Sequence, residues 1–201
     1  METITKGKTA VIVFVRTPEL GKVKTRLAKT MGEEAALQVY KYLLSYTKEV
    51  VLKLDIPIFI YYEGLMKSRD IWSSENFKKR LQSEGDLGQR MLDAFTEVFA
   101  HGYSKVIIIG SDCYEITPDI IIEGINSLDT NEIVFGPAAD GGYYLLGMTK
   151  LIPDIFNNIT WSSEYVLTQS IEIAKKLHLT NYLLPVLNDV DEEKDVTFTY
   201  K

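Results

Sequence analysis

The sequence predicts an α/β fold with a mostly parallel central sheet. Two observations carry this. Short, continuous apolar runs rich in β-branched residues read as strands buried on both faces, as in Thr9 to Val15 and Lys105 to Ile109. Over the first 130 residues such runs alternate with segments of helical periodicity, which is how a parallel sheet is wound. A length of 201 residues suits one domain with a proper core, so residues 1–201 are read as a single unit.

The elements follow in order. The strand Thr9 to Val15 leads into a polar, basic loop. Glu33 to Leu54 then sets Ala36, Leu37, Tyr40, Leu43, Leu44 and Thr47 on one side of a helix. Pro57 to Tyr62 is the second strand, and Glu63 to Arg80 reads as a short helix and loops. Leu87 to His101 is a helix stopped by Gly102. After Lys105 to Ile109, Thr117 caps a helix with Pro118 at its first position. Glu132 to Phe135 and Tyr143 to Met148 are strands. Ser162 or Ser163 is expected to cap a helix reaching Leu177, and Asn181 to Leu187 closes the set.

Composition bounds the function. The net charge of −6 argues against nucleic acid, whose binding needs a basic footprint. One cysteine, Cys113, fits a reducing compartment. The first residues lack a signal-peptide pattern, and no apolar run approaches the roughly 18 to 20 residues of a membrane span. The expectation is a cytoplasmic protein without a membrane span. A homo-oligomer is compatible with the sequence.

Ligands of such sheets bind beyond the carboxyl ends of the strands, so the loops there are the ones expected to carry chemistry. Arg16 to Arg26 holds four cations (Arg16, Lys22, Lys24, Arg26) within eleven residues, and Gly21 permits close approach of the backbone. Cations beside loop amides suit a diphosphate. The alternative is a solvated basic turn. Asp112, in Gly110-Ser111-Asp112, is a strand-tip carboxylate able to bridge a hard cation to phosphates, or else a turn cap. Asp140-Gly141-Gly142-Tyr143 lies in a loop longer than a tight hairpin needs, although Asp-Gly is also a common turn. Tyr143 and Tyr144 must point to opposite faces of their strand. Gln82 offers an amide to a base edge and Arg90 a guanidinium to phosphate, while Asp86 suits a helix cap. The acidic run Asp189 to Asp195 matters only if it folds back beside Asp112.

Six segments together carry a family resemblance: F14-V-R-T-P-E-L-G-K-V-K-T-R-L27, G85-D-L-G-Q-R-M91, I109-G-S-D-C113, G136-P-A-A-D-G-G-Y-Y-L-L-G147, Trp161-Ser162-Ser163 and D189-V-D191. The set resembles the bacterial nucleotide-diphospho-sugar transferase family, small glycosyltransferases often linked to arsenosugar or selenium-associated gene clusters. The resemblance implies a three-layer GT-A-like fold and a nucleotide pocket built from the first loop and the Gln82–Arg90 segment. It also implies Mg²⁺ or Mn²⁺ on Asp112 and Asp191. The sequence departs from the family pattern at Tyr114, where proline is common after Asp-Cys. It departs again in the tail, DVDEEKDV in place of DVDTxxDL, which leaves open whether Asp189 or Asp191 faces the metal.

The expected activity is metal-dependent glycosyl transfer from a nucleoside diphosphate-sugar to a small-molecule acceptor. Asp112 and Asp140 are the candidate catalytic residues, with Asp140 as base. Gly141, Gly142 and Tyr143 are assigned to the substrate side. Two alternatives stand beside it: nucleotidyl transfer from an NTP to a phosphorylated small molecule, and a nucleotide-binding module without turnover. The glycine-rich L-x-A-G-x-G-x-R loop common in nucleotidyltransferases is missing.

Overall fold

A computed structural model describes residues 9–200. Seven strands form one sheet: β1 (Thr9–Arg16), β2 (Ile58–Glu63), β3 (Phe77–Leu81), β4 (Lys105–Ile109), β5 (Ile133–Pro137), β6 (Tyr143–Met148) and β7 (Asn181–Leu183). Their order is β3-β2-β1-β4-β6-β5-β7. The pairs β1–β2, β1–β4, β2–β3 and β5–β7 are parallel, and only β6 runs against its neighbours. The helices are α1 (Thr25–Met31), α2 (Glu33–Leu52), α3 (Leu87–Ala100), α4 (Pro118–Ser127) and α5 (Val166–Lys176).

Period-2 alternation divides each strand between two cores. Val11, Val13 and Val15 of β1 pack with Tyr40 and Leu44 of α2 and with Ile121 and Ile125 of α4. Ala10 and Ile12 face the other side, with Met91, Phe95 and Val98 of α3 and Ala174 of α5. The result is three layers with a sheet covered on both faces, which is why its central strands read as unbroken apolar runs.

Four local expectations need correction. Glu63 to Arg80 contains no helix; it holds the edge strand β3, whose Lys78, Lys79 and Arg80 face partly to solvent and so escape an apolar-run criterion. A helix α1, not foreseen, follows the basic loop. Ser162 has a left-handed backbone (φ 63°) and α5 starts only at Val166, with no side-chain cap. Strand β7 stops at Leu183, because Pro185 has no N–H to offer; pairing resumes as a single bridge between Ala138 and Leu187. The caps of α3 and α4 are as read: Asp86 accepts from Gln89 N (2.9 Å) and Thr117 from Ile120 N (3.3 Å).

Candidate active site

Because β1, β4, β5 and β7 run the same way, their carboxyl ends share one edge of the sheet. The basic loop, the Asp112 turn, the Asp140 loop and the acidic tail all leave from that edge. They enclose a pocket of about 490 Å³, in the size range of small-molecule sites.

Lys24 is its centre. Its backbone is left-handed (φ 49°) at the position before α1, and its side chain is 5% exposed. That turn directs the ammonium inward, 3.0 Å from Asp112 Oδ1 and 3.9 Å from Asp191 Oδ1. Arg26, two residues further, donates to Asp191 Oδ2 at 2.9 Å. Lys22 takes the other direction and pairs with Glu19 (2.6 Å), outside the pocket. Gly21 (φ 72°) shapes the turn, where a β-carbon would meet the Glu33 carboxylate at 3.3 Å, and does not line the pocket. Two of the three cations at alternate positions therefore meet the carboxylates.

The tail is held there by Val190. Its side chain is buried among Leu27, Ala36, Val39 and Leu43, and its N–H donates to Asp112 O (2.9 Å). With Val190 turned into that core, both flanking aspartates line the pocket. Asp191 takes the cations. Asp189 is pushed up to about 7, first by burial, then by Asp112, with Asp140 and Asp191 adding to the effect and Lys24 opposing it. The sequence left open whether Asp189 or Asp191 faces the site; both line the pocket, and it is Asp191 that contacts the cations. Among the described residues no three His, Cys, Asp or Glu side chains form a ready-made metal-ligand set.

On the far wall, Asp140 Oδ1 accepts from Gly142 N (2.8 Å), so this exposed carboxylate also shapes its own turn. Tyr143 lines the pocket and packs against Phe135. Tyr144 points to the opposite face, where its hydroxyl donates to Pro185 O at 3.0 Å. Gly141 (φ 89°) lies under the segment leading to α5, and its carbonyl accepts from Leu167 N at 2.9 Å. Gly88 plays the same part in α3: a β-carbon there would stand 2.4 Å from the Trp161 indole, which lines the pocket. Neither close approach was legible in the sequence.

A second recess of about 500 Å³ adjoins the first and shares Arg16, Tyr40, Asp112 and Asp191 with it. Gln82 lines it, with its NH₂ committed to the carbonyls of Tyr61 (3.1 Å) and Val15 (3.4 Å). Glu63 lies between Arg16 (2.6 Å) and Arg90 (2.9 Å), which hold its carboxyl below the usual range against the opposing effect of burial. Cys113 is buried, and burial pushes its thiol up to about 12, the state of a packed side chain and not of a nucleophile.

A mostly parallel sheet in this strand order, with cations and carboxylates at its carboxyl edge, defines a nucleotide-diphospho-sugar transferase-type fold. Residues 46–163 match the bacterial family DUF2064, described as "uncharacterized protein conserved in bacteria". A crystal structure from Desulfovibrio desulfuricans G20, provisionally described as a nucleotide-diphospho-sugar transferase, is 31% identical, with a TM-score of 0.85 over 92% of this chain and 82% of that one. The chain belongs to this family. At 12% identity, the 4-diphosphocytidyl-2C-methyl-D-erythritol synthase of Anaerococcus prevotii gives a TM-score of 0.58 over 94% of both chains. Glucosyl-3-phosphoglycerate synthase of Mycobacterium tuberculosis, solved with Mn²⁺, UDP and phosphoglyceric acid, is 10% identical with a TM-score of 0.57, over 94% of this chain and 72% of that one. These last two likenesses are of fold, and they join nucleotidyl and glycosyl transferases. No protein of curated function matches the chain in sequence. No helix among the described residues is long and apolar enough to cross a membrane.

Proposed function

We propose that the protein transfers a glycosyl group from a nucleoside diphosphate-sugar to a small-molecule acceptor, with Mg²⁺ or Mn²⁺ as cofactor. The observation that carries this reading is the meeting of Lys24, Arg26, Asp112 and Asp191 at one sheet edge, beside the Gln82 recess. A nucleotide laid along that edge has its diphosphate at Lys24 and Arg26 and its base towards Gln82. With both amide hydrogens engaged by strand carbonyls, Gln82 can offer a base only its carbonyl oxygen, an acceptor for a base N–H. Arg90, anchored by Glu63, flanks the same recess.

The residues fit a divalent cation. Asp112, Asp140, Asp189 and Asp191 line one pocket with a single buried lysine, Lys24, which contacts Asp112 and Asp191. Two carboxylates, Asp112 and Asp191, completed by phosphates and water, suit Mg²⁺, which seldom takes an all-protein cage. Such an ion, when bound, neutralises charge on the departing diphosphate. Lys24 and Arg26 supply fixed positive charge to the same oxygens. Asp140 is assigned the acceptor hydroxyl proton, with Gly142 and Tyr143 lining the acceptor side.

Likeness of fold to a cytidylyl-transferring synthase supports nucleotidyl transfer as a second reading. That reaction needs the cations but leaves Asp140 without a task. Product analysis separates the two. With Mn²⁺ and a panel of nucleoside diphosphate-sugars, the expected product is free nucleoside diphosphate, and Asp112→Asn lowers its rate by about a hundredfold or more. Pyrophosphate release from NTPs in the presence of sugar phosphates would favour the second reading. Absence of product from every donor would leave a binding module.

A further inference from the structure

Beside the sheet edge, on the α2 face, lies a cavity of about 460 Å³ that the transfer reaction does not use. Its floor and walls are apolar: Leu44 of α2, Tyr62 of β2, and Leu65, Ile71 and Trp72 from the segment between β2 and β3. Trp72 is 1% exposed and fixed edge-on against Phe77 (5.1 Å), whereas Leu65 is 64% and Ile71 38% exposed. The segment is pinned at both ends. Thr17 Oγ1 donates to Leu65 O (2.7 Å), and Asp70 accepts from the Tyr62 hydroxyl (2.6 Å) and pairs with Lys79 (2.9 Å). The walls are therefore set before any ligand arrives, which lowers the ordering cost of binding.

Charge distinguishes this cavity from an ordinary surface hollow. Arg16, Lys41, Lys67 and Arg69 stand around its mouth, in a chain of net charge −6. The one acidic lining residue, Asp70, is already matched by Lys79. Arg16 is engaged by Glu63, and Lys67 acts on Glu19. Lys41 and Arg69 have no ion-pair partner among the described residues. An apolar chamber under unmatched cations is complementary to an apolar molecule that ends in an anion.

We infer that this cavity is a second ligand site, for a small amphipathic anion whose aliphatic or aromatic body lies against Leu65 and Ile71, beside the buried Trp72, and whose carboxylate or phosphate meets Lys41 and Arg69. The two sites share Arg16, which Glu63 engages, but neither Lys41 nor Arg69 lines the Lys24 pocket, so the inference stands apart from the proposed transfer reaction. The protein contains two tryptophans, so Trp161→Phe leaves Trp72 as the reporter. Octyl phosphate and octanoate, titrated into this variant, are expected to change Trp72 fluorescence saturably and to bind about tenfold tighter than 1-octanol.

Lys41 and Arg69 are both exposed, so the double substitution Lys41→Gln, Arg69→Gln is not expected to disturb folding, as an unchanged melting temperature verifies. It is expected to abolish the preference for the anions and leave octanol binding as it was. Ile71→Asp is expected to weaken all three ligands. In the unmodified chain, saturating UDP with Mn²⁺ is expected to leave calorimetric binding of octyl phosphate within about twofold. No saturable signal, equal affinity for octanol, a preference that survives the double substitution, or displacement by UDP would each overturn the proposal. So would binding to phosphatidylglycerol vesicles without binding of the soluble anions, which would make the patch a membrane surface.

Discussion

Replacing Lys24 by methionine is expected to weaken binding of a nucleoside diphosphate by about a hundredfold, equivalent to about 2.7 kcal/mol. Methionine keeps most of the length and apolar stem of this buried side chain but removes its charge. Asp112, Asp189 and Asp191 would then meet the incoming phosphates with Arg26, which is 73% exposed and screened by solvent, and Arg16, which Glu63 already engages. The same exposure argument makes Lys22→Ala the control. Its ammonium is 74% exposed and paired with a neighbour in sequence, so its loss is expected to change binding less than twofold. A nucleoside without phosphates should bind both variants like the parent. Calorimetry reads all three. Equal losses for Lys22 and Lys24 would return the loop to a solvated turn and remove the physical basis of the proposed nucleotide site.

Gly141→Ala is expected to cost about 2–4 kcal/mol of stability and to open the pocket's far wall. Two effects add. The backbone at φ 89° disfavours any β-carbon, and that carbon would lie 2.2 Å from the carbonyl oxygen of Glu164, which cannot rotate aside as a side chain would. Gly102→Ala isolates the first effect: its φ is 86°, yet nothing stands within 4 Å of its added carbon, so about 1 kcal/mol is expected. Urea denaturation compares the two. A Gly141 variant no less stable than the Gly102 variant would mean that the segment before α5 is not held against the Asp140 loop.

Much of the architecture was legible because the central strands are buried on both faces. For β1 and β4 the apolar run alone identifies the element, and the alternation with α2 and α3 makes the sheet parallel there. Strand β3 was hidden because an edge strand needs no second apolar face; Phe77-Lys78-Lys79-Arg80-Leu81 buries little beyond Phe77. At the pocket, position on the carboxyl edge was enough to find Lys24, Asp112 and Asp140. What sequence could not supply was direction. Lys22 and Lys24 differ only in which way a left-handed turn sends them, and Glu19 claims the first. Asp189 joined the cluster through the burial of Val190 between the two aspartates. The fit of Gly88 beneath Trp161 joins residues 73 positions apart and leaves no local trace.

In the proposed reaction Asp112 helps hold a divalent cation against a nucleotide's phosphates. Calorimetric titration of UDP, GDP, CDP and ADP into the protein, with Mn²⁺ and then with EDTA, tests it directly, repeated with Asp112→Asn. An amide preserves the shape of the side chain and removes the charge a hard cation requires. At least one diphosphate is expected to bind with Mn²⁺, EDTA to weaken it by about tenfold or more, and Asp112→Asn to bind weakly in either condition with an unchanged melting temperature. Equal affinity in the parent and the variant, with or without Mn²⁺, would contradict it and leave Asp112 as no more than the partner of Lys24.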